Sequence, residues 1–167
     1  MMVVGSRQRG RLLWQRPRAV RDIALLQITN PRSAAAVKLA SEVIPAGTSA
    51  GSVGFTLART TSTERGWTFV PTLRFQGGFI SACPSLPTSS GPGLPLYETD
   101  TLLYTGSNGC PGFLLDSRVF GMHLASMREE PASAGEGQIG PRAAFSLWLP
   151  SSEILRFVES NGVSTCA

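Results

Sequence analysis

Apolar residues recur at helical spacing in one stretch of this chain: Ile154, Leu155, Phe157 and Val158, close to the C-terminus. Elsewhere they come in short pieces, each stopped by glycine or proline. The 167 residues hold 18 glycines and 12 prolines. Such punctuation argues against a helical bundle and predicts short strands joined by turns. Apolar residues make up 42% and charged residues 16%, which suits a buried core rather than a disordered chain. The length predicts one domain, or one plus a fragment.

The expected elements follow the punctuation. Val3–Val4 and Leu12–Trp14 are short apolar pieces among arginines. Asp22–Ile28 is a strand whose nearly continuous apolar run predicts burial on both sides. Residues 29–47 form a surface connection with a short apolar piece at Val37–Leu39. Ser49–Leu57 is a strand bent at Gly51 and Gly54. Trp67–Phe75 and Phe79–Cys83 are two strands joined tightly at Gly77–Gly78. Residues 84–95 read as a mobile Pro/Gly/Ser loop. Next come a strand at Leu96–Thr101, a glycine-rich turn over 105–112, a hairpin turning at Asp116–Ser117, a polar loop over 127–141 and a last strand at Arg142–Leu149. The helix has an N-cap in Pro150–Ser152, an acid in its first turn at Glu153 and a terminating Gly162. About eight antiparallel strands with one helix outside them suit a Greek-key barrel or a sandwich.

The net charge of +4 is unevenly placed. Residues 1–32 hold seven arginines against one acid, Asp22, and the remainder is near neutral. The arginine cluster reads either as an electrostatic patch or as a solvated strand and loop. No aromatic interleaving supports base stacking there, so no nucleic-acid partner is expected. No apolar run reaches membrane-spanning length, and no membrane partner is expected. Three cysteines (Cys83, Cys110, Cys166) and one histidine (His123) lack metal-ligand spacing, so no metal and no cofactor are expected. The start carries no secretory signal pattern, although an acid-free, arginine-rich opening faintly suggests a transit peptide. An odd cysteine count points to reduced thiols in a cytoplasmic setting.

The most informative segment is Gly106–Ser107–Asn108–Gly109–Cys110–Pro111. Glycines at 106 and 109 permit positive φ, and such a turn aims successive N–H groups into one concavity suited to an oxyanion. Here the chain resembles the chymotrypsin/trypsin-like serine peptidases, whose nucleophile turn reads Gly–x–Ser–Gly–x–Pro before a hairpin. Asp22–Ile23–Ala24–Leu25–Leu26 is similar to the family segment whose aspartate orients the catalytic histidine. The C-terminal helix is a third likeness. Val53–Phe55 and Phe79–Ser81 are similar to the start of the second barrel. The resemblance spans about residues 20–162, and it is to the disulfide-poor, intracellular and bacterial branch.

The resemblance implies an all-β, chymotrypsin-like Greek-key β-barrel, mainly the second barrel plus part of the first, with a C-terminal helix over 151–161. Residues 1–30 would be a remnant of the first barrel, 31–47 a connection, 48–162 the second barrel and 163–167 a tail. It implies Asp22 at the triad aspartate position and Asn108 where the nucleophilic serine belongs. It places oxyanion donors at Gly106 and Asn108, and a substrate-aligning strand at His123, Leu124, Ala125 and Ser126. In picornavirus-type cysteine peptidases a Gly–x–His segment there reads a glutamine, and the other reading of His123 is a half-buried strand histidine.

Two further readings of the turn remain: Ser107 as nucleophile in a shifted frame, and Cys110 as a thiol nucleophile or a small buried residue. No histidine occurs in residues 1–122 to act as the base. The expected function is therefore a trypsin-like serine endopeptidase homologue, inactive as it stands. The alternative is a non-catalytic module that binds a peptide or protein in the old cleft. Self-association through an exposed barrel face is also expected. Tyr97, Trp67 and Trp148 read as packing residues.

Overall fold

The computed structural model describes residues 10–15, 23–28, 36–56, 59–63, 66–88, 91–104, 106–128 and 144–164. Its strands are β1 (Gly10–Gln15), β2 (Ala24–Ile28), β3 (Ser49–Gly54), β4 (Arg59–Thr63), β5 (Gly66–Val70), β6 (Arg74–Ala82), β7 (Ser85–Thr88), β8 (Gly91–Pro95), β9 (Tyr97–Thr99), β10 (Pro111–Leu114), β11 (Val119–Arg128) and β12 (Ala144–Pro150). One helix, α1 (Ser151–Ser160), follows.

Six strands close into an antiparallel barrel in the order β3–β6–β9–β12–β11–β10, with β10 returning to β3. Strands β10, β11 and β12 follow one another by hairpins, and the preceding β9 lies beside β12. That is a Greek key. The first three barrel strands run in chain order and the last three in reverse. Residues 100–110 must therefore cross from β9 to β10, and that crossing carries the glycine-rich turn. The all-β barrel with a C-terminal helix agrees with the sequence reading, and it is compatible with a chymotrypsin-like fold.

Two apolar clusters hold the structure. Inside the barrel, Ile80, Tyr97, Leu103, Phe120 and Trp148 pack with Ala40 and Ile44. Tyr97 and Phe120 meet edge-on with ring centroids 5.9 Å apart, and Phe120 and Trp148 lie tilted to each other at 5.1 Å. The polar tips are satisfied. Trp148 Nε1 donates to Thr99 Oγ1 (3.0 Å), and Tyr97 Oη accepts the Ile44 N–H (2.9 Å). Outside the barrel wall, Leu94, Leu96 and Leu149 pack with Ile23, Met122, Leu124, Leu147 and Ile154. The helix seals this second cluster, burying Phe157 and Val158. It stops where the sequence predicts. Gly162 has φ +74°, its N–H bonds to Glu159 O, and the Val163 N–H reaches back to Val158 O.

Several expectations need correction. The strand over 22–28 exists as β2, but Ala24, Leu26 and Gln27 are exposed. Among the described residues β2 pairs only with β1, and a two-stranded sheet cannot cover both faces. Gly77–Gly78 is no join: β6 runs straight through it. Glycine is required at 78 because a Cβ there would fall 2.0 Å from Thr101 Oγ1 and 2.4 Å from Asp100 Oδ1. Asp100 accepts the Phe79 N–H (2.7 Å), so these side chains clamp the strand.

Residues 84–95 are not an irregular loop but the hairpin β7–β8, anchored by buried Leu94. The 29–47 connection is not purely surface, since Ala40 and Ile44 lie in the core. The helix N-cap is Pro150 without a side-chain cap, because the Ser151 hydroxyl donates to Val119 O instead (2.7 Å). Val3–Val4 lies outside the described residues, as does most of the 127–141 loop.

Gly112 sits where β10 crosses the core. A Cβ added there would fall 2.4 Å from the Phe120 ring and 2.9 Å from Trp148. Gly112→Ala is expected to lower stability by about 1–3 kcal/mol, measured as a shift in urea midpoint at constant slope.

Candidate functional site

The crossing over 100–110 is tied to the barrel at successive points. Thr101 Oγ1 donates to Gly77 O, Gln76 Nε2 donates to Leu102 O, and the Leu103 N–H donates to Ser146 Oγ (3.0 Å). The chain then turns through Tyr104–Cys110. The Ser107 N–H and hydroxyl both bond Tyr104 O, at 3.1 and 2.5 Å. The Cys110 N–H returns to Ser107 O, and the Gly109 N–H donates to His123 O, each at 2.9 Å. Gly106 and Gly109 have φ of +92° and +82°, which supplies the left-handed backbone that the sequence predicts.

These bonds engage the amides of Ser107, Gly109 and Cys110. The N–H groups of Gly106 and Asn108 meet no acceptor among the described residues. Asn108 is exposed, whereas Ser107 is buried at 1% exposure with its hydroxyl turned into the loop. The shifted frame, with Ser107 as nucleophile, therefore finds no outward hydroxyl. Cys110 packs against Gly54, where a Cβ would lie 2.3 Å from its sulfur. Burial pushes the Cys110 thiol up from its ordinary pKa, opposite to what a thiolate nucleophile needs.

His123 stands on β11 beside this turn. Its N–H donates to Cys110 O (2.9 Å), complementing the bond that its own carbonyl receives from Gly109. The side chain is 2% exposed, so it is fully rather than half buried. The cause is register. His123 pairs with Trp148, but Ala125 pairs with Leu147, which leaves Leu124 as an extra residue in a β-bulge. In a regular strand His123 and Ser126, three apart, would face opposite sides. Across the bulge both pair with interior residues, Trp148 and Ser146.

A polar cluster results inside the barrel mouth. Ser126 Oγ lies 3.2 Å from His123 Nε2, 3.2 Å from Ser146 Oγ and 2.9 Å from Leu103 O. The imidazole meets Trp148 edge-on at 5.2 Å. Nδ1 meets no hydrogen-bond partner among the described residues. Burial lowers the His123 pKa, and the backbone at Ser107 and Ala125 acts more weakly in the opposite direction.

Four of the residues selected from sequence are thus contiguous on β11 (His123–Ser126), and two lie on the turn (Gly106, Asn108). The His123 backbone joins the groups. Asp22 lies outside the described residues. Beyond Met122, β11 pairs with β12 alone, so among the described residues one edge from Leu124 to Arg128 carries no strand. Sequence reasoning missed Ser146 and Leu103 as members of the site, because only the bulge brings them to His123. Among the described residues no group of three or more His, Cys, Asp or Glu side chains could hold a metal, and no helix is long and apolar enough to cross a membrane. Comparison with protein-family models and with curated proteins finds no match.

Ser146 is fully buried and accepts the Leu103 N–H. Ser146→Ala leaves that amide without an acceptor and is expected to cost about 1–3 kcal/mol in chemical denaturation. An unchanged midpoint would remove Ser146 from the network.

Proposed function

We propose that the chain is a trypsin-like serine endopeptidase homologue whose acyl-transfer site is disarmed. The carrying observation is the turn itself: an exposed Asn108 between two left-handed glycines, with the amides of Gly106 and Asn108 meeting no acceptor among the described residues. Free amides at those two places are what an oxyanion hole requires. Oxyanion donors on the backbone survive a change of side chain, whereas nucleophilic attack does not. An amide offers no oxygen that a base can activate. The only histidine of the chain, His123, has its ring enclosed in the barrel and its Nε2 facing Ser126.

The free edge of β11 favours the second reading, a module that holds an extended peptide without cutting it. A peptide added there as a strand would gain main-chain hydrogen bonds from alternate residues along the Leu124–Arg128 edge, with its flanking carbonyl near the Gly106 and Asn108 amides.

A fluorophosphonate probe for serine hydrolases is expected to label neither the natural chain nor Asn108→Ser, since a restored hydroxyl still lacks a base. Labelling at Ser107 would overturn the frame. Immobilised peptide libraries should retain the protein above scrambled controls. Asn108→Trp, placed at an exposed position, should abolish that retention by filling the mouth. Retention unaffected by Asn108→Trp would remove the peptide from this site.

A further inference from the structure

The buried imidazole of His123 is used by neither hydrolysis nor strand addition, yet it sits where the turn meets β11. Its backbone makes both bonds that hold Gly109 and Cys110 to the strand. The groups around its ring are the hydroxyls of Ser126 and Ser146, the indole of Trp148 and the backbone of Ser107, Ala125 and Leu103. None is acidic. The titratable neighbour on the turn, Cys110, directs its thiol at Gly54. No described carboxylate or cation acts on the ring from its own strand, from β12 or from the crossing.

We infer that His123 is a proton-operated latch for the Gly106–Cys110 turn. Neutral, the ring fills the barrel mouth and its backbone fastens the turn to β11. Protonated, it carries a charge into a site with no counter-charge, and it reaches water only by swinging out. The swing withdraws the 123 backbone from Gly109 and Cys110. This deepens the peptide-site reading above, because the turn that opens is the one assigned to the ligand's carbonyl. Binding would then be favoured at neutral pH and released in acid.

The sign follows from the geometry. A histidine kept neutral by burial binds fewer protons in the closed state than in the open one. Closure is at full strength above the ordinary imidazole pKa near 6.5, and it weakens as pH falls from there towards the depressed value of the closed state.

The chain has a single histidine, so its ring nitrogens are observed by NMR without assignment ambiguity. Titration from about pH 7.5 to about pH 5 is paired with amide exchange corrected for intrinsic rates. The expected result is a ring midpoint below the ordinary value. Protection at Gly109, Cys110 and His123 should begin to fall near the ordinary imidazole pKa, above the ring midpoint, and steepen to about tenfold per pH unit below it. Amides of β3 and β6 such as Ile80 should keep their protection. His123→Gln should make turn protection independent of pH. An ordinary or raised midpoint, turn amides indifferent to the titration, or loss of all barrel amides together would each overturn the latch. Should His123→Gln fail to fold, the natural chain's titration decides alone. Neither measurement involves a ligand, so peptide retention can fail while the latch stands, and the reverse.

Discussion

The β-bulge at Leu124 is the constraint on which the site depends. A strand alternates its side chains, and one extra residue reverses that alternation from its position onward. Before the bulge, β11 faces Met122 outward to the helix cluster and His123 inward. After it, Ser126 faces inward again, opposite Ser146. Were the same sequence paired regularly, with no bulge, His123 would have no hydroxyl beside it, and the inward face at 125 would be a methyl group. The barrel mouth would then hold a lone imidazole among apolar atoms, a costly arrangement for a polar ring. The bulge makes the histidine tolerable and ties it to Leu103, on the crossing that leads into the turn.

The glycines follow a related logic of close approach. Gly51 and Gly77 face the ring of Phe75, which is exposed and would have to shift for a Cβ at 51. Gly112 makes room for Phe120 and Trp148. Gly121 admits the carbonyl of Leu149 at 2.6 Å from where a Cβ would stand. A small barrel has little interior, and three aromatic rings fill most of it. The backbone around them must be bare. The abundance of glycine in the sequence is therefore as much a packing requirement as a turn requirement.

This explains which parts were legible in the sequence. The hairpin at Asp116–Ser117, the strand leading into it and the Gly162 stop were readable because local chemistry decides them. The turn over 106–111 was readable from its glycine spacing. Gly77–Gly78 misled because glycine pairs usually mark turns, whereas here Asp100 and Thr101, over twenty residues away, require the missing Cβ. The 84–95 segment misled for a related reason. Its prolines suggest a loop, but Leu94 anchors it to a cluster that only tertiary structure assembles. Ala40 and Ile44 were hidden in a segment that its prolines mark as a connection, and Tyr97 captures the Ile44 amide across 53 residues. The bulge at Leu124 leaves no mark in composition, so the partnership of His123 with Ser126 and Ser146 could not be anticipated.

The same bonds bear on why such a turn would persist once catalysis is lost. Ser107 closes the loop onto Tyr104, Cys110 returns to Ser107, and Gly109 joins β11. None of these involves the side chain at 108. The loop is the last part of the crossing between β9 and β10, and the closed barrel cannot form without it. Selection for folding alone would keep Gly106, Ser107, Gly109 and Pro111, while leaving position 108 free to change. An asparagine there fits that freedom, being exposed and compatible with tight turns. On the reading proposed, a disarmed cradle is the expected residue of a peptidase fold. Its backbone is retained by the barrel, whereas the side chain at 108 is one that the barrel does not need.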